Sequence, residues 1–227
     1  MIRSVIFDMD GLMFDTERVA RDGWIAVGKE DGYNVTVDFL DRVTGVNAVR
    51  VGEICREEFG ADFQYETFHL RVYDYMFRIF DRDGMPCKPG LRELLDYLAG
   101  HGIRAAVASS SSRSVVVDYL KRADIERYFD AVICGDMVQN SKPAPDIFLK
   151  AAELLETPPA DCLVLEDSHN GVRAGYAAGM EVIMIPDLIP PTDELRRMAD
   201  YILPTLSDVI PILDAPRSTS GKEPDPQ

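Results

Sequence analysis

The sequence is poor in cysteine, and no stretch of it approaches an uninterrupted transmembrane run. Its four cysteines, Cys55, Cys87, Cys134 and Cys162, lie far apart, and no C-x-x-C pair indicates a zinc site or a redox motif. We therefore expect reduced cysteines in a cytoplasmic protein. The chain begins directly with a predicted strand, so no signal peptide is expected.

Positive charge is also scarce. The chain has 24 Lys and Arg against 39 Asp and Glu, which gives a net charge of −15 at pH 7. A surface this acidic disfavours nucleic-acid polymers and anionic membranes as partners. An anionic small molecule would therefore need a local positive site. No exposed apolar stripe stands out, so we expect a monomer.

Short apolar runs, each bounded by polar residues or glycine, predict buried strands. These runs are 3–8, 103–108, 130–134, 161–166 and 180–185. Helical patterns lie between them at 91–100, 144–155 and 169–178. Continuous apolar strands that alternate with helices are typical of an α/β fold whose parallel sheet is covered on both faces.

A helical insertion interrupts this alternation just after the first strand. It reads as amphipathic helices at roughly 16–31, 37–44, 47–59 and 64–82. We predict a core built from 1–15 and 84–214, with a helical cap over 16–83. The polar, proline-rich end of the chain, 215–227, is predicted to be disordered.

Polar side chains follow the predicted strands at their carboxyl ends, where open parallel sheets bind ligands. They are Asp8 and Asp10, Ser109 with the neighbouring Ser110, Lys142, and Glu166 with Asp167. Carboxylate oxygens are the ligands that Mg²⁺ prefers. A hydroxyl, a lysine ammonium and the backbone N–H groups of a helix start can hold a phosphate. We therefore predict one Mg²⁺ and one phosphate at this edge of the sheet.

The spacing of Asp8 and Asp10 has a chemical explanation. One carboxylate can attack phosphorus and form an aspartyl-phosphate, while the second protonates the leaving oxygen and later activates water. Both groups must reach the same phosphoryl group, and a metal ion would relieve their mutual repulsion.

Four segments, "DMDGLMFDTE", "VASSS", "SKPAPD" and "LEDSHNG", resemble in order the four motifs of the haloacid dehalogenase superfamily. Within it, the chain is similar to the Mg²⁺-dependent phosphatases and β-phosphoglucomutase-like enzymes, whose Rossmann-like core carries an inserted helical cap. The resemblance implies that Asp8 is the nucleophile and Asp10 the general acid and base. It implies a Mg²⁺ site made by Asp8, the Asp10 backbone carbonyl and Asp167, with Glu166 nearby. Ser109, Ser110 and Lys142 would bind the phosphate.

Three functions remain open at this stage. The first is hydrolysis of a small phosphate monoester, such as a sugar phosphate or a nucleotide-like compound. The second is a phosphomutase, although β-phosphoglucomutases carry a histidine shortly after the D-T pair and residues 17–20 here read ERVA. The third is a non-catalytic binding module, which the intact aspartate pair disfavours. Asp10 argues against the dehalogenases, which lack the second aspartate.

Substrate specificity is expected to lie in the cap, where single residues carry weaker signals. Thr16, close to the aspartate pair, is one candidate substrate contact. Gly45, in the stretch "VTGVNAVR", is a second because it could form a turn that faces the site. Arg50 and Arg71 are candidates for a second anionic or hydroxyl-bearing part of the substrate.

Overall fold

A computed structural model describes residues 1–44, 46 and 48–215 and contains a six-stranded, wholly parallel sheet within them. Its strands are β1 (Ser4–Phe7), β2 (Arg104–Ser109), β3 (Ala131–Cys134), β4 (Cys162–Glu166), β5 (Glu181–Met184) and β6 (Tyr201–Ile202). Their order across the sheet is β3-β2-β1-β4-β5-β6. The predicted α/β class is confirmed, whereas the predicted tail falls almost wholly on 216–227, outside the described residues.

Strand β1 lies in the middle of the sheet, where all four of its residues are buried and the last three are apolar. It pairs with β2 on one side and β4 on the other, so that Phe7 is opposite both Val107 and Leu165. Apolar side chains cover both faces of the sheet in two clusters. The three central strands therefore end side by side, at one edge.

A group of consecutive helices follows β1 along the chain, and further helices alternate with the later strands. Between β1 and β2 the described residues form α1 (Thr16–Asp31), α2 (Val37–Val43), α3 (Ala48–Phe59), α4 (Tyr65–Asp83) and α5 (Leu91–Gly100). The later helices are α6 (Arg113–Arg122), α7 (Asp146–Leu154), α8 (His169–Ala177), α9 (Asp193–Met198) and α10 (Val209–Asp214). None of these described helices combines the length and the hydrophobicity that a membrane span requires.

The helices of the insertion pack around aromatic side chains. The ring of Trp24 on α1 lies 5.0 Å from that of Phe68 on α4 and 5.8 Å from that of Phe39 on α2. Helix α1 ends at Gly32, whose φ of 80° places it in the left-handed region that glycine tolerates without a steric penalty. The apolar positions of α1, α2 and α4 thus recur at helical spacing because they meet in one shared core.

The insertion also contacts the sheet domain through aromatic rings. Tyr119 on α6 is 1 % exposed and meets Phe80 of α4 edge-on at 5.4 Å and Phe14 at 6.0 Å. One apolar cluster therefore runs from the sheet through α6 into the insertion. This packing fixes the space between the insertion and the strand ends.

Candidate active site

The central strands bring the predicted polar residues to one edge of the sheet. Asp8 follows β1 directly, and its backbone N–H donates to the Leu165 carbonyl at 3.0 Å. Ser109 ends β2 and Glu166 ends β4, the two neighbours of β1. The register of the sheet, rather than any loop conformation, therefore sets the spacing of these three groups.

Lys142 connects two of these strand ends. Its Nζ donates to Asp8 Oδ1 at 2.5 Å, to Glu166 Oε1 at 2.7 Å and to the Ala108 carbonyl at 3.1 Å. Each of the three ammonium protons thus has an acceptor. Burial alone lowers the pKa of Lys142, but Asp8 and Glu166 more than offset this and raise it, so the group is a cation. The Lys142–Pro143 peptide bond is cis.

Glu166 is fully buried, and both of its carboxylate oxygens accept hydrogen bonds. Its Oε2 accepts from the Asp167 and Ser168 backbone N–H groups and from the Ser168 hydroxyl, each at 3.0 Å. A Cβ on Gly171 would lie 1.7 Å from Glu166 Oε1, so only glycine allows α8 to approach this carboxylate. Glu166 therefore holds Lys142 and the turn that carries Asp167.

Asp10 is held by two hydroxyls, one from each side of the cleft. Thr16 Oγ1, at the start of α1, donates to Oδ1 at 2.8 Å, and Ser111 Oγ donates to Oδ2 at 2.9 Å. Burial raises the pKa of Asp10, and these two hydrogen bonds oppose the rise. Sequence reasoning did not select Ser111, although its place in the serine run that follows β2 was a usable signal.

The residues predicted to bind the metal fit a hard cation. Oxygens of Asp8, Glu166 and Asp167 lie within 4.8 Å of one another. Asp167 Oδ1 is buried and has no hydrogen-bond partner. Burial and the neighbouring Glu166 and Asp8 raise the pKa of Asp167 well above its ordinary value. A buried, unpartnered carboxylate oxygen beside other carboxylates is the donor set that Mg²⁺ prefers.

Gly11 allows the aspartate loop to approach Asp167. Its φ is 85°, and a Cβ there would lie 2.3 Å from Asp167 Oδ2. A side chain at this position would therefore both strain the backbone and push Asp167 away from Asp8.

The other side of the cleft offers groups that suit a phosphate. Ser109 is 1 % exposed, and its Oγ accepts from the Ser111 backbone N–H at 3.0 Å. Ser110 is exposed and lines the cleft together with Asp8, Lys142 and Asp167. Helix α6 begins just beyond, so its N-terminal end favours an anion. This cleft has a volume of about 570 Å³.

The residues of the cap that were predicted to contact the substrate do not all lie at the site. Thr16 lies in the site, on Asp10, whereas Gly45 lies outside the described residues. Arg50 pairs on the exposed side of α3 with Glu53 and Glu57. Arg50 does not line the cleft between the strand ends and the insertion.

Arg71 is also remote from the cleft. It pairs with Glu30 at 2.6 Å and with Asp31, both at the end of α1. Their positive charge made these two arginines candidates for an anionic part of the substrate, but the sequence did not indicate that acidic neighbours would pair with each of them.

Two acidic residues of the cleft were missed. Burial, together with the neighbouring Asp10 and Asp187, raises the pKa of Glu17 on α1 to about 7, and Arg21 opposes this rise. Asp187, which follows β5, accepts from Lys88 at 2.7 Å through Oδ1, and its Oδ2 is buried without a partner. The position of Asp187 after a parallel strand was a signal of the same kind as that of Asp8.

Comparison with known proteins gives matches over most of the chain. A family model described as haloacid dehalogenase-like hydrolase matches residues 5–185. A phosphorylated carbohydrates phosphatase of Thermotoga maritima is 35% identical over 80% of this chain and 84% of its own length. A β-phosphoglucomutase of Bacillus subtilis is 31% identical over 79% of this chain and 81% of its own.

Solved structures match the fold. A crystal structure from Thermotoga maritima, provisionally assigned as a β-phosphoglucomutase, superposes with a TM-score of 0.80. Its sequence is 30% identical, and the match covers 94% of this chain and 99% of that chain. Both the sheet and the inserted helices therefore have counterparts in a solved protein.

Proposed function

The chain belongs to the haloacid dehalogenase-like hydrolases, and on that basis we propose that it is a Mg²⁺-dependent phosphatase of small phosphate monoesters. The observation that carries the proposal is the arrangement of two aspartates. Asp8 is fixed by Lys142 through one oxygen, while Asp10 is held at the border between the cleft and the insertion. Relatives include a phosphatase of phosphorylated carbohydrates, so sugar phosphates are the first substrates to test.

In the first step, Asp8 acts as the nucleophile. Lys142 holds Oδ1, so Oδ2 is the oxygen that attacks the substrate phosphorus. The phosphorus–oxygen ester bond breaks, and Asp10 gives a proton to the departing alkoxide. Burial raises the pKa of Asp10, which favours the protonated form that this step needs. The products are the free alcohol and a phosphoryl group on Asp8.

In the second step, Asp10 reverses its role. Its carboxylate takes a proton from a water molecule as the water oxygen attacks phosphorus. The bond between phosphorus and Asp8 breaks, Asp8 returns to its carboxylate form, and inorganic phosphate leaves. Thr16 and Ser111 keep Asp10 in place during both steps, because each holds one of its oxygens.

Asp8, Asp167 and the Asp10 backbone carbonyl would hold the Mg²⁺, with Glu166 behind them. When bound, Mg²⁺ would neutralise part of the negative charge of the carboxylates and of the phosphoryl oxygens. The buried, unpartnered Asp167 Oδ1 is the observation that supports a cation here. The hydrogen bonds that already occupy Glu166 support a positioning role for it.

A phosphomutase is the second candidate, because a β-phosphoglucomutase is among the relatives. In that reaction the phosphoryl group on Asp8 returns to a sugar phosphate instead of to water. The stretch 17–20 offers a glutamate, an arginine and two apolar residues in place of a histidine. Product analysis distinguishes the two reactions, since a mutase requires a sugar bisphosphate and releases little inorganic phosphate.

The experiment is a measurement of inorganic phosphate release with Mg²⁺ from sugar phosphates, nucleoside monophosphates and pseudouridine 5′-phosphate. Asp8→Asn keeps the shape of the side chain but cannot attack phosphorus, so it should lose at least about 10³-fold in kcat. Asp118→Asn, at an exposed ion pair with Arg122, is the matched control and should behave as the wild type. Wild-type turnover in Asp8→Asn would refute the proposal.

Asp10→Asn tests the acid role separately. It should slow alkyl phosphates more than aryl phosphates, because a poor leaving group needs the proton more. Equal slowing of both classes would show that Asp10 does not protonate the leaving group.

A further inference from the structure

A second cavity continues from the cleft into the insertion. It has a volume of about 350 Å³, which lies within the range of small-molecule sites, about 300–1,000 Å³. Asp10, Glu17 and Ser110 line both cavities, so the two spaces meet at these residues. Asp10 is the proposed acid, and the leaving oxygen must therefore lie beside it. The rest of the leaving group then extends into the second cavity.

The wall of this second cavity is aromatic and aliphatic. Trp24, Tyr65 and Tyr73 line it together with Tyr119, and the aliphatic part includes Val72. The aromatic residues are packed against one another, as shown by the ring of Trp24 at 6.3 Å from that of Tyr65. Such a rigid wall presents flat faces that suit a planar or cyclic group.

A few polar tips interrupt this apolar wall. His69 stacks on Tyr65 with ring centroids 5.3 Å apart, and burial lowers its pKa, so the ring is neutral at pH 7. Tyr73 and Tyr119 line the same cavity as Asp10, so their phenol groups add polar positions to the wall. Neutral hydrogen-bonding groups on an apolar wall recognise the polar edge of an uncharged group.

The charges around the cavity oppose a second anion. Asp10 and Glu17 are acidic, and Arg21 is the one arginine or lysine among the described lining residues. Arg21 is already engaged, because its guanidinium donates to Asp41 at 2.8 Å and to Thr44 at 3.4 Å. A second phosphate would therefore be buried without a free cation among the described lining residues to balance its charge.

From this geometry we propose that the second cavity binds the leaving alcohol of the substrate, and that this alcohol is uncharged and carries a ring. The inference rests on the proposed phosphatase function and names its substrate class. Monophosphates of ring-bearing alcohols are accepted, and bisphosphates are disfavoured. A phosphomutase that works through a sugar bisphosphate would need the opposite property.

The test uses alkyl phosphates that differ only beyond the reacting oxygen. The probes are 2-phenylethyl phosphate, n-butyl phosphate and 1,4-butanediol bisphosphate. Acetyl phosphate is included as a small substrate whose cleavage measures phosphoryl transfer without a leaving group that fills the second cavity. We expect kcat/KM for the phenylethyl compound to exceed that for the butyl compound about tenfold or more, because binding transfers the larger apolar surface of its ring from water into the cavity. The bisphosphate should be poorer than the butyl compound by about tenfold.

A variant that fills the cavity provides a second measurement. Ala20, on α1, lines the cavity, and Ala20→Phe should bring the ratio of phenylethyl to butyl turnover close to one. Ala99→Phe adds the same ring at an exposed position of α5 and should leave the ratio unchanged. If Ala20→Phe fails to fold, the wild-type ratios still decide the inference.

The outcomes separate the two proposals. Cleavage of acetyl phosphate with equal rates for the ring-bearing and butyl compounds, or with the bisphosphate preferred, overturns the inference and leaves the phosphatase function intact. Absence of acetyl phosphate cleavage by a folded, Mg²⁺-loaded protein overturns both. Preference for the ring-bearing probe that Ala20→Phe removes supports the substrate class.

Discussion

Replacing Glu166 with glutamine tests whether the site depends on one buried carboxylate. Glu166 is 0 % exposed and faces donors only: Lys142 Nζ at Oε1, and two backbone N–H groups and the Ser168 hydroxyl at Oε2. A glutamine has almost the same shape, but its NH₂ group must point at one set of these donors. Either orientation therefore places donor against donor, and the negative charge opposite Lys142 is lost.

The expected cost follows from this geometry. Removing one member of a buried, hydrogen-bonded ion cluster costs about 3–5 kcal/mol of unfolding free energy. For a protein of this size, that corresponds to a fall in Tm of roughly 10 °C. Urea unfolding in EDTA measures the effect without any contribution from bound metal.

Glu153→Gln is the matched control for this experiment. Glu153 pairs with Lys150 on the surface of α7, and its side chain is 67% exposed. Loss of such a pair changes stability by about 0–1 kcal/mol. If the unfolding free energy of Glu166→Gln is within about 1 kcal/mol of that of the wild type, the buried carboxylate does not stabilise the site through its charge and hydrogen bonds.

Three further predictions follow from the same contacts. Gly171→Ala should destabilise the protein by about 1–3 kcal/mol in urea unfolding, because its Cβ would overlap Glu166, whereas Gly100→Ala, in open space, should not destabilise it. Burial raises the Glu17 pKa from its ordinary 4.5 to about 7, so the folded state binds this proton more tightly and loses stability as pH rises between these values. Glu17→Gln should therefore raise Tm at pH 8 but not at pH 4.5, and an equal effect at both values would contradict this. Mg²⁺ should raise the wild-type Tm more at pH 8 than at pH 5.5, since its ligands must lose their protons, and Asp167→Asn should abolish the increase.

Most of the sheet could be predicted from the sequence because buried parallel strands are continuous apolar runs. The predicted strand 161–166 corresponds to the observed strand Cys162–Glu166, and the predicted strand 180–185 corresponds to Glu181–Met184. Strand Tyr201–Ile202 was missed because two residues carry no periodicity. The short helices α9 and α10 were missed for the same reason, at six residues each.

The helices of the insertion were also predictable, since Gly and Pro mark several of their ends. The predicted helix 16–31 matches Thr16–Asp31, and the predicted helix 64–82 lies within one residue of Tyr65–Asp83. Periodicity gives the buried face of a helix, but it does not say which exposed residues will face another domain. This is why Arg71 was selected for the site and Glu17 was not.

Residues of the site differ in how far the sequence could place them. Asp8 and Asp167 follow strands whose neighbours in the sheet are fixed by topology, so their proximity follows from strand order. The contacts of Ser111 and Thr16 with Asp10 depend on how α6 and α1 begin, which no spacing rule specifies. Tertiary packing, rather than local pattern, places these hydroxyls.

The charge balance of the cleft connects its structure with its proposed chemistry. Lys142 donates all three of its protons to acceptors of the protein, and its positive charge is shared between Asp8 and Glu166. The surrounding carboxylates Asp8, Asp10 and Asp167 have raised pKa values because burial penalises their charge. A chain with a net charge of −15 supplies no other long-range attraction for an anion. A divalent cation on Asp8 and Asp167 would add positive charge beside the groups of the cleft that suit a phosphate, and it would relieve both the carboxylates and the incoming phosphate at once.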